Sequence, residues 1–279
     1  MDPMTLALLA GFAHAGLPDS ACPTLAGVDT IAQDRALAQI VVGEAHGTRE
    51  LPETFGDLVC NLARDGRPVT VGLEFLPSEQ AALDGYLASD GGAGAVSRLL
   101  GSPGWGDRHG RASEAMFQLV DRLRRMRRGG ADLEVVAFDH PTETSAGTSA
   151  LREETMARLL LDARARRPEA LVVALTGVGH AGRGPWTSFD PPFPSMTQHL
   201  STATTLTVTF ARSGGEAWAC RTSPGTAQER CGGWPVAARE PVSARGVWRD
   251  ATRPGFDAAL SAGTAYSASP PARDAVRRR

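Results

Sequence analysis

Apolar residues in this chain fall into two kinds of run. Residues 38–42, 69–75, 133–138 and 171–175 are short, nearly continuous apolar stretches rich in β-branched side chains, the pattern of strands covered on both faces. Between them, apolar positions recur at helical spacing over about 50–64, about 78–87, 112–128 and about 151–166. Pro77-Ser78-Glu79 suits a helix entry and Asp65-Gly66 a helix exit. Strands alternating with helices predict an α/β fold built on a largely parallel β-sheet flanked by helices. The Gly-rich stretch 90–110 interrupts the alternation and reads as a mobile insertion, too long for a simple connector. After residue 180 the pattern loosens. A Gly/Pro/aromatic loop at 182–194, a short helix at 195–200, a Thr/Val strand at 204–211, a polar loop at 218–233 and a last strand within 256–266 are expected. The chain thus divides into an N-terminal segment 1–21, one α/β domain at 22–266 with a C-terminal strand addition, and a tail 267–279 expected to be disordered.

Composition narrows the class. A chain of 279 residues with 42% hydrophobic content can bury an ordinary core. Its net charge of −2, with arginines and acids interspersed, makes no single-sign field for nucleic acid or an anionic membrane. All 29 of the Lys+Arg residues are arginine, which excludes Schiff-base and Walker-type lysine chemistry. The apolar segment 5–15, ending Ala13-His14-Ala15, reads either as a short signal-peptide core with a small-x-small cleavage site or as an apolar N-terminus; no Lys or Arg precedes it. No apolar run reaches the roughly 18 residues of a membrane span. Four cysteines, Cys22, Cys60, Cys220 and Cys231, lack Cys-x-x-Cys spacing. Cys220 and Cys231 bracket a polar loop suited to a local disulfide, which leaves Cys22 with Cys60 and points to an extracytoplasmic compartment; the alternative is four buried thiols.

Chemistry concentrates where the expected strands end. Ile40-Val41-Val42-Gly43-Glu44-Ala45-His46 and Val172-Val173-Ala174-Leu175-Thr176-Gly177-Val178-Gly179-His180 are apolar runs that both stop at Gly-x-x-His. Glu74 ends the second strand, and Asp139 with His140 follows the third. Ligands of open α/β sheets bind at the carboxyl edge of the strands, so these groups converge on one expected site. Individually each has a structural reading: Glu44 can pair with Arg49, Glu74 can sit in an ion pair, Asp139 can start a turn, and His140, held by Pro141, reads as structural or solvent-facing. His109 and His199 read as surface residues. Two chemistries fit the set. In one, His46 is a general base activating water, oriented by Glu74 or Glu44, while His180 and an arginine, Arg49 or Arg183, polarise a carbonyl. In the other, His46, Glu74 and His180 ligate a divalent metal with an open position. Spacing does not separate them. There is no Gly-x-Ser-x-Gly elbow and no Gly-x-Gly-x-x-Gly after the first strand, which argues against a serine triad of the α/β-hydrolase kind and against a dinucleotide cofactor. Trp105, Trp186 and Phe189 are candidates to line an apolar pocket.

With Gly43-Glu44-Ala45-His46-Gly47-Thr48-Arg49-Glu50, then Val71-Gly72-Leu73-Glu74, then Gly177-Val178-Gly179-His180-Ala181, the chain resembles the superfamily that joins erythromycin esterases, ChaN-like haem-binding lipoproteins and TIKI metalloproteases. The resemblance spans roughly residues 38–211. It implies an α/β fold with the site at the strand ends, His46 as general base, and Glu44, Glu74 and His180 at the remaining motif positions. Two departures stand out: Gly-Glu-Ala-His is one residue shorter than the Gly-Glu-Ala-Thr-His typical of macrolide esterases, and the large helical portion that encloses a macrolide is missing. No lipobox cysteine ends the N-terminal apolar segment, unlike ChaN. The expectation is a hydrolase acting on an ester or amide of a small molecule or peptide. A ChaN-like haem- or metal-binding protein and a TIKI-like metallopeptidase are the alternatives, and a scaffold without activity is a third.

Overall fold

The structure, a computed structural model, describes residues 22–140, 146–222 and 228–276; the expected N-terminal segment 1–21 lies outside them. The alternation read from the sequence is present. β1 (Gln39–Glu44), β2 (Val69–Leu73), β3 (Leu133–Ala137), β4 (Leu171–Gly177) and β5 (Thr205–Phe210) are parallel and joined through helices. With β8 (Gly246–Arg249) and β9 (Ala258–Ser261) they form a seven-stranded sheet of order β3-β2-β4-β1-β5-β9-β8, in which only β8 runs antiparallel. A separate antiparallel hairpin is made by β6 (Gly215–Thr222) and β7 (Glu229–Val236).

Both faces of the central strands are covered, and successive residues divide between two cores. Ile40, Val42, Val173 and Leu175 pack with α2 (Glu50–Ala63) and α5 (Glu114–Arg128), whereas Val41, Val172 and Ala174 pack with α6 (Ala146–Arg166). A strand that must satisfy two apolar layers has no polar face to show, which is why these segments read as continuous runs. Helix α5 begins at Ser113, whose hydroxyl accepts the Met116 N–H at 3.3 Å, and ends on three arginines in its last turn and Gly129, matching both ends of its dipole. Among the described residues, no helix is long and apolar enough to cross a membrane.

Several expectations need correction. The stretch 90–110 is ordered: it holds α4 (Ala93–Gly101) and a 3-10 turn, Pro103–Gly106. Trp105 is fully buried there, against Phe75 and Phe117, and so lines no pocket; one large aromatic anchors a segment whose glycines suggested mobility. The tail expected to be disordered is structured through residue 276, and residues 277–279 lie outside the described ones. Ser269 accepts the Ala115 N–H at 3.0 Å, Ala272 at the start of α8 (Ala272–Val276) is buried, and Arg273 donates to the Leu100 and Ser102 carbonyls. The short helix at 195–200 is a 3-10 turn, Met196–His199, closed by a capping box between Ser195 and Gln198. The polar loop at 218–233 is the β6–β7 hairpin, and the Cys220–Cys231 disulfide joins directly opposed residues in it. Cys22–Cys60 is the other disulfide, tying the chain ahead of α1 (Val28–Ala32) to α2. Both pairs are as expected.

Candidate active site

Sheet order assembles the site. β4 lies between β1 and β2, with Gly43 opposite Thr176, Glu44 opposite Gly177, and Leu73 opposite Leu175. Three adjacent strands therefore end at one edge, carrying Glu44 and His46, Glu74, and His180 respectively. Gly43 is required by close packing: a Cβ there would lie 2.9 Å from Val178 Cα and from Ala181 Cβ in α7 (Val178–Ala181), the short helix that bears His180. The turn after His46 depends on Gly47, at φ +80°, a left-handed conformation that other residues adopt at a cost. The Gly47 carbonyl accepts the N–H groups of Trp218 at 2.8 Å and Ser269 at 2.7 Å, so the hairpin and the C-terminal segment both clamp the His46 turn.

The two imidazoles face opposite kinds of neighbour. His46 Nδ1 donates to Glu44 Oε1 at 2.9 Å, and its Nε2 lies 3.5 Å from Glu74 Oε2. Burial alone would lower its pKa; the Glu74 charge and hydrogen bonds to Glu44 and Glu74 outweigh that and push it up to about 10. The side chain is 25% exposed, so water reaches it. Glu74 is buried, which would raise its carboxyl pKa, but the charges of His46 and Arg152 hold it well below the usual range. It is also the best-bonded group of the site: Oε2 accepts from Thr176 Oγ1 and the Gly177 N–H, both at 2.7 Å, and Oε1 accepts from Arg152 Nη2 at 2.9 Å. His180 is buried between Glu153 Oε1, 2.6 Å from its Nδ1, and Arg152 Nη1, 3.0 Å from its Nε2. Because a guanidinium only donates and a carboxylate accepts, these partners assign a proton to Nδ1 and a lone pair to Nε2.

Arg152 is the hub of the cluster, binding Asp139 Oδ1 at 2.7 Å as well as Glu74 and His180. Glu153 reaches past His180 to accept the Met196 N–H at 2.7 Å. Arg111 sits more loosely, 3.4 Å from Asp139, 3.6 Å from Glu74 and 3.8 Å from Asp107. Glu74, Asp107, Arg111, Asp139 and His140 line a cavity of about 270 Å³ opening from this edge. Trp186 lies tilted against His180, ring centroids 5.5 Å apart, and continues into Phe189 and Phe193, an aromatic cluster behind His180 in which Trp105 takes no part.

Four of the expected site residues, Glu44, His46, Glu74 and His180, meet. Arg49 does not join them: its side chain is exposed at the entrance to α2. Arg183 is committed elsewhere, to Asp257 and the Thr205 carbonyl. Sequence reasoning missed Arg111, Arg152 and Glu153. A signal for the last two exists, since Arg152 and Glu153 fall in phase with the buried Met156, Ala157 and Leu160 of α6, and charges on an apolar stripe need partners. His109 and His199 are exposed, as expected.

The donor set His46, Glu74 and His180 does not fit a metal. The Arg152 guanidinium lies within hydrogen-bond distance of both His180 Nε2 and Glu74 Oε1, filling the position from which a cation would be ligated. His109, Cys220 and Glu229 also lie close together, but Cys220 is in a disulfide and supplies no thiolate.

No protein-family model matches the sequence, and no curated protein does. Solved structures do. An erythromycin esterase, EreC in its open conformation, superposes with a TM-score of 0.57 at 13% identity, covering 84% of this chain and 90% of that one. This chain has the fold of an erythromycin esterase. A Bacillus cereus protein gives a TM-score of 0.52 at 12% identity over 93% of this chain and 97% of its own. ChaN of Campylobacter jejuni, solved with cofacial haem, gives 0.37 at 12% identity over 65% of this chain and 85% of its own, too distant to carry an argument. At such identities the likeness shows the fold alone, and chemistry must be argued from the side chains.

Proposed function

We propose that this chain is a hydrolase that uses His46 to move a proton between water and the leaving group of an ester or amide. The observation that carries the reading is His46 held between two carboxylates at a water-reached sheet edge. Neutral His46 takes a proton from water at Nε2, the resulting hydroxide attacks the carbonyl carbon, and His46 returns that proton to the departing oxygen or nitrogen. Glu44 fixes the imidazole through Nδ1, and Glu74 stabilises its cation. Arg111, whose contacts are long and whose side chain is 36% exposed, is the cation suited to the developing oxyanion; it takes the role expected of Arg49 or Arg183. Arg152 acts as a positioning residue, because it holds Glu74, and His180 and Glu153 act behind it, Glu153 fixing His180 and His180 accepting from Arg152.

A His46 pKa near 10 means that the base form is scarce at neutral pH, so activity of the free enzyme should rise with pH toward about 10. The fold shared with an erythromycin esterase supports ester chemistry. The Arg152 position weighs against metallopeptidase and metal- or haem-binding readings, which need at least one imidazole nitrogen released from its present partner. Two disulfides support an oxidising, extracytoplasmic compartment. A panel of small esters and amides assayed with the wild type and His46→Ala tests the reading. Turnover that disappears in a folded variant supports it; turnover that survives the substitution rules it out.

A further inference from the structure

His46 and Arg111 stand on either side of a contact between two glycines. Gly47 follows His46 at φ +80°, and Gly110 precedes Arg111 at φ +104°. A Cβ on Gly110 would lie 2.6 Å from Gly47 N and 2.7 Å from Gly47 Cα, and one on Gly47 would lie 2.1 Å from the Trp218 carbonyl oxygen. Three backbones therefore touch with no room for a side chain between them: the turn that ends β1, the segment ahead of α5, and hairpin strand β6. Trp218 is bonded to both of the others. Its backbone N–H donates to the Gly47 carbonyl at 2.8 Å and its indole Nε1–H to the Arg108 carbonyl at 3.1 Å. The second hairpin strand grips the same segment, since Glu229 on β7 accepts from Arg108 Nη1 at 3.3 Å and lies 3.8 Å from His109 Nε2. The Cys220–Cys231 disulfide ties the two strands together next to Trp218, and a two-stranded hairpin on its own holds weakly.

We propose that Trp218 is a positioning residue that sets the spacing between His46 and Arg111, its indole N–H holding the Arg111 segment against the His46 turn. Arg111 needs such a hold because its own side-chain contacts are long, 3.4 Å to Asp139, 3.6 Å to Glu74 and 3.8 Å to Asp107, and contacts of that length fix a side chain poorly. A base and an oxyanion-binding cation work together only when held to within about 0.5 Å of their productive geometry. A residue that touches neither reacting group therefore governs both by fixing the backbones that carry them. Trp218 takes no part in the chemistry itself: its indole N–H is engaged by a carbonyl, and it does not line the cavity beside Glu74. The clamp follows from the contacts alone, whereas its consequence for turnover rests on the hydrolase reading.

Trp218→Phe, made in the full chain, removes the indole donor and keeps the backbone bond to Gly47. Amide hydrogen exchange reads the clamp directly. The Arg111 N–H, which donates to Asp107 Oδ2 at 3.1 Å, should exchange about tenfold faster, as the loss of one hydrogen bond allows. Turnover of whichever panel ester the wild type cleaves fastest reads the consequence. There kcat should fall about tenfold with KM unchanged, because an oxyanion contact acts in the transition state alone. In an Arg111→Ala background the same substitution should change kcat by less than about twofold. A merely structural Trp218 would lower stability without that split, and its effect would add to that of Arg111→Ala. Unchanged exchange at Arg111, a change in KM in place of kcat, or a larger loss in the Arg111→Ala background overturns the positioning role. If Trp218→Phe fails to fold, the wild-type amides decide: Trp218 and Arg111 protected to within about tenfold of each other support a shared opening, and a wider gap overturns it. The two readings fail separately. Faster exchange at Arg111 in a chain without ester turnover leaves the clamp and removes the hydrolase; turnover lost in His46→Ala but untouched by Trp218→Phe leaves the hydrolase and removes the positioning role.

Discussion

The two Gly-x-x-His units end neighbouring strands, yet their imidazoles are opposites. His46 lies between two carboxylates and is partly exposed; His180 lies between a carboxylate and a guanidinium and is buried. One environment gathers protons and the other fixes a tautomer. The motif supplies only the location, a tight turn at the carboxyl edge of a buried strand, and the partners brought in by other elements set the charge state. On this account His46 is the proton-transfer group and His180 a strut.

The largest expected break in the comparison is His46→Ala, which should lower turnover by about 10²–10⁴, the usual contribution of a positioned acid–base group, with near-UV circular dichroism retained. An equal loss from both His→Ala variants by direct chemistry, with KM unchanged and pH profiles identical, would erase the distinction. Next comes Arg152→Ala. It strands Glu74, Asp139 and His180 together, so urea unfolding should show a loss of about 3–5 kcal/mol; a loss under about 1 kcal/mol, as for a surface pair, would mean the hub is incidental.

Glu74→Gln acts on the His46 side through charge. Removing its carboxylate takes away the largest influence raising the His46 pKa, which should fall from about 10 toward 6.5, carrying the rise of kcat/KM to lower pH. The sign for stability follows. His46, raised above its unfolded value of 6.5, contributes stability fully present below about pH 6.5 and lost as pH rises through about 10. Glu74, depressed below 4.5, contributes stability present above about pH 4.5 and lost as pH falls through its folded value. Thermal unfolding of the wild type should therefore weaken at both extremes, and Glu74→Gln should flatten both limbs. An unchanged profile contradicts the pairing. The smallest effect is expected from Gly177→Ala, whose Cβ would lie 3.1 Å from His46 Nε2. Its backbone, at φ −55°, accepts alanine, so the cost is crowding alone, about 1 kcal/mol, read as a modest drop in kcat.

The legible part of this molecule was what buried strands impose. Residues 38–42 and 171–175 had to be continuous apolar runs to fit two cores, and chemistry-bearing residues at their ends stood out against them. Arg152 and Glu153 were hidden because α6 mixes charges into its buried stripe, and a helix reading keyed to apolar spacing passes over them. Arg111 and Asp107 were hidden by the glycines around them, since the burial of Trp105 that orders the segment is a tertiary fact. Arg49, next to the motif in sequence, points elsewhere in space: adjacency along the chain does not carry a side chain to a sheet edge.

The most direct test of the His46 assignment is a pH titration of its imidazole by ¹⁵N NMR on the wild-type chain. His46 is expected to be protonated on both nitrogens at neutral pH and to release a proton near pH 10. A His46 that titrates near 6.5, or carries a single ring proton at neutral pH, would contradict the assignment.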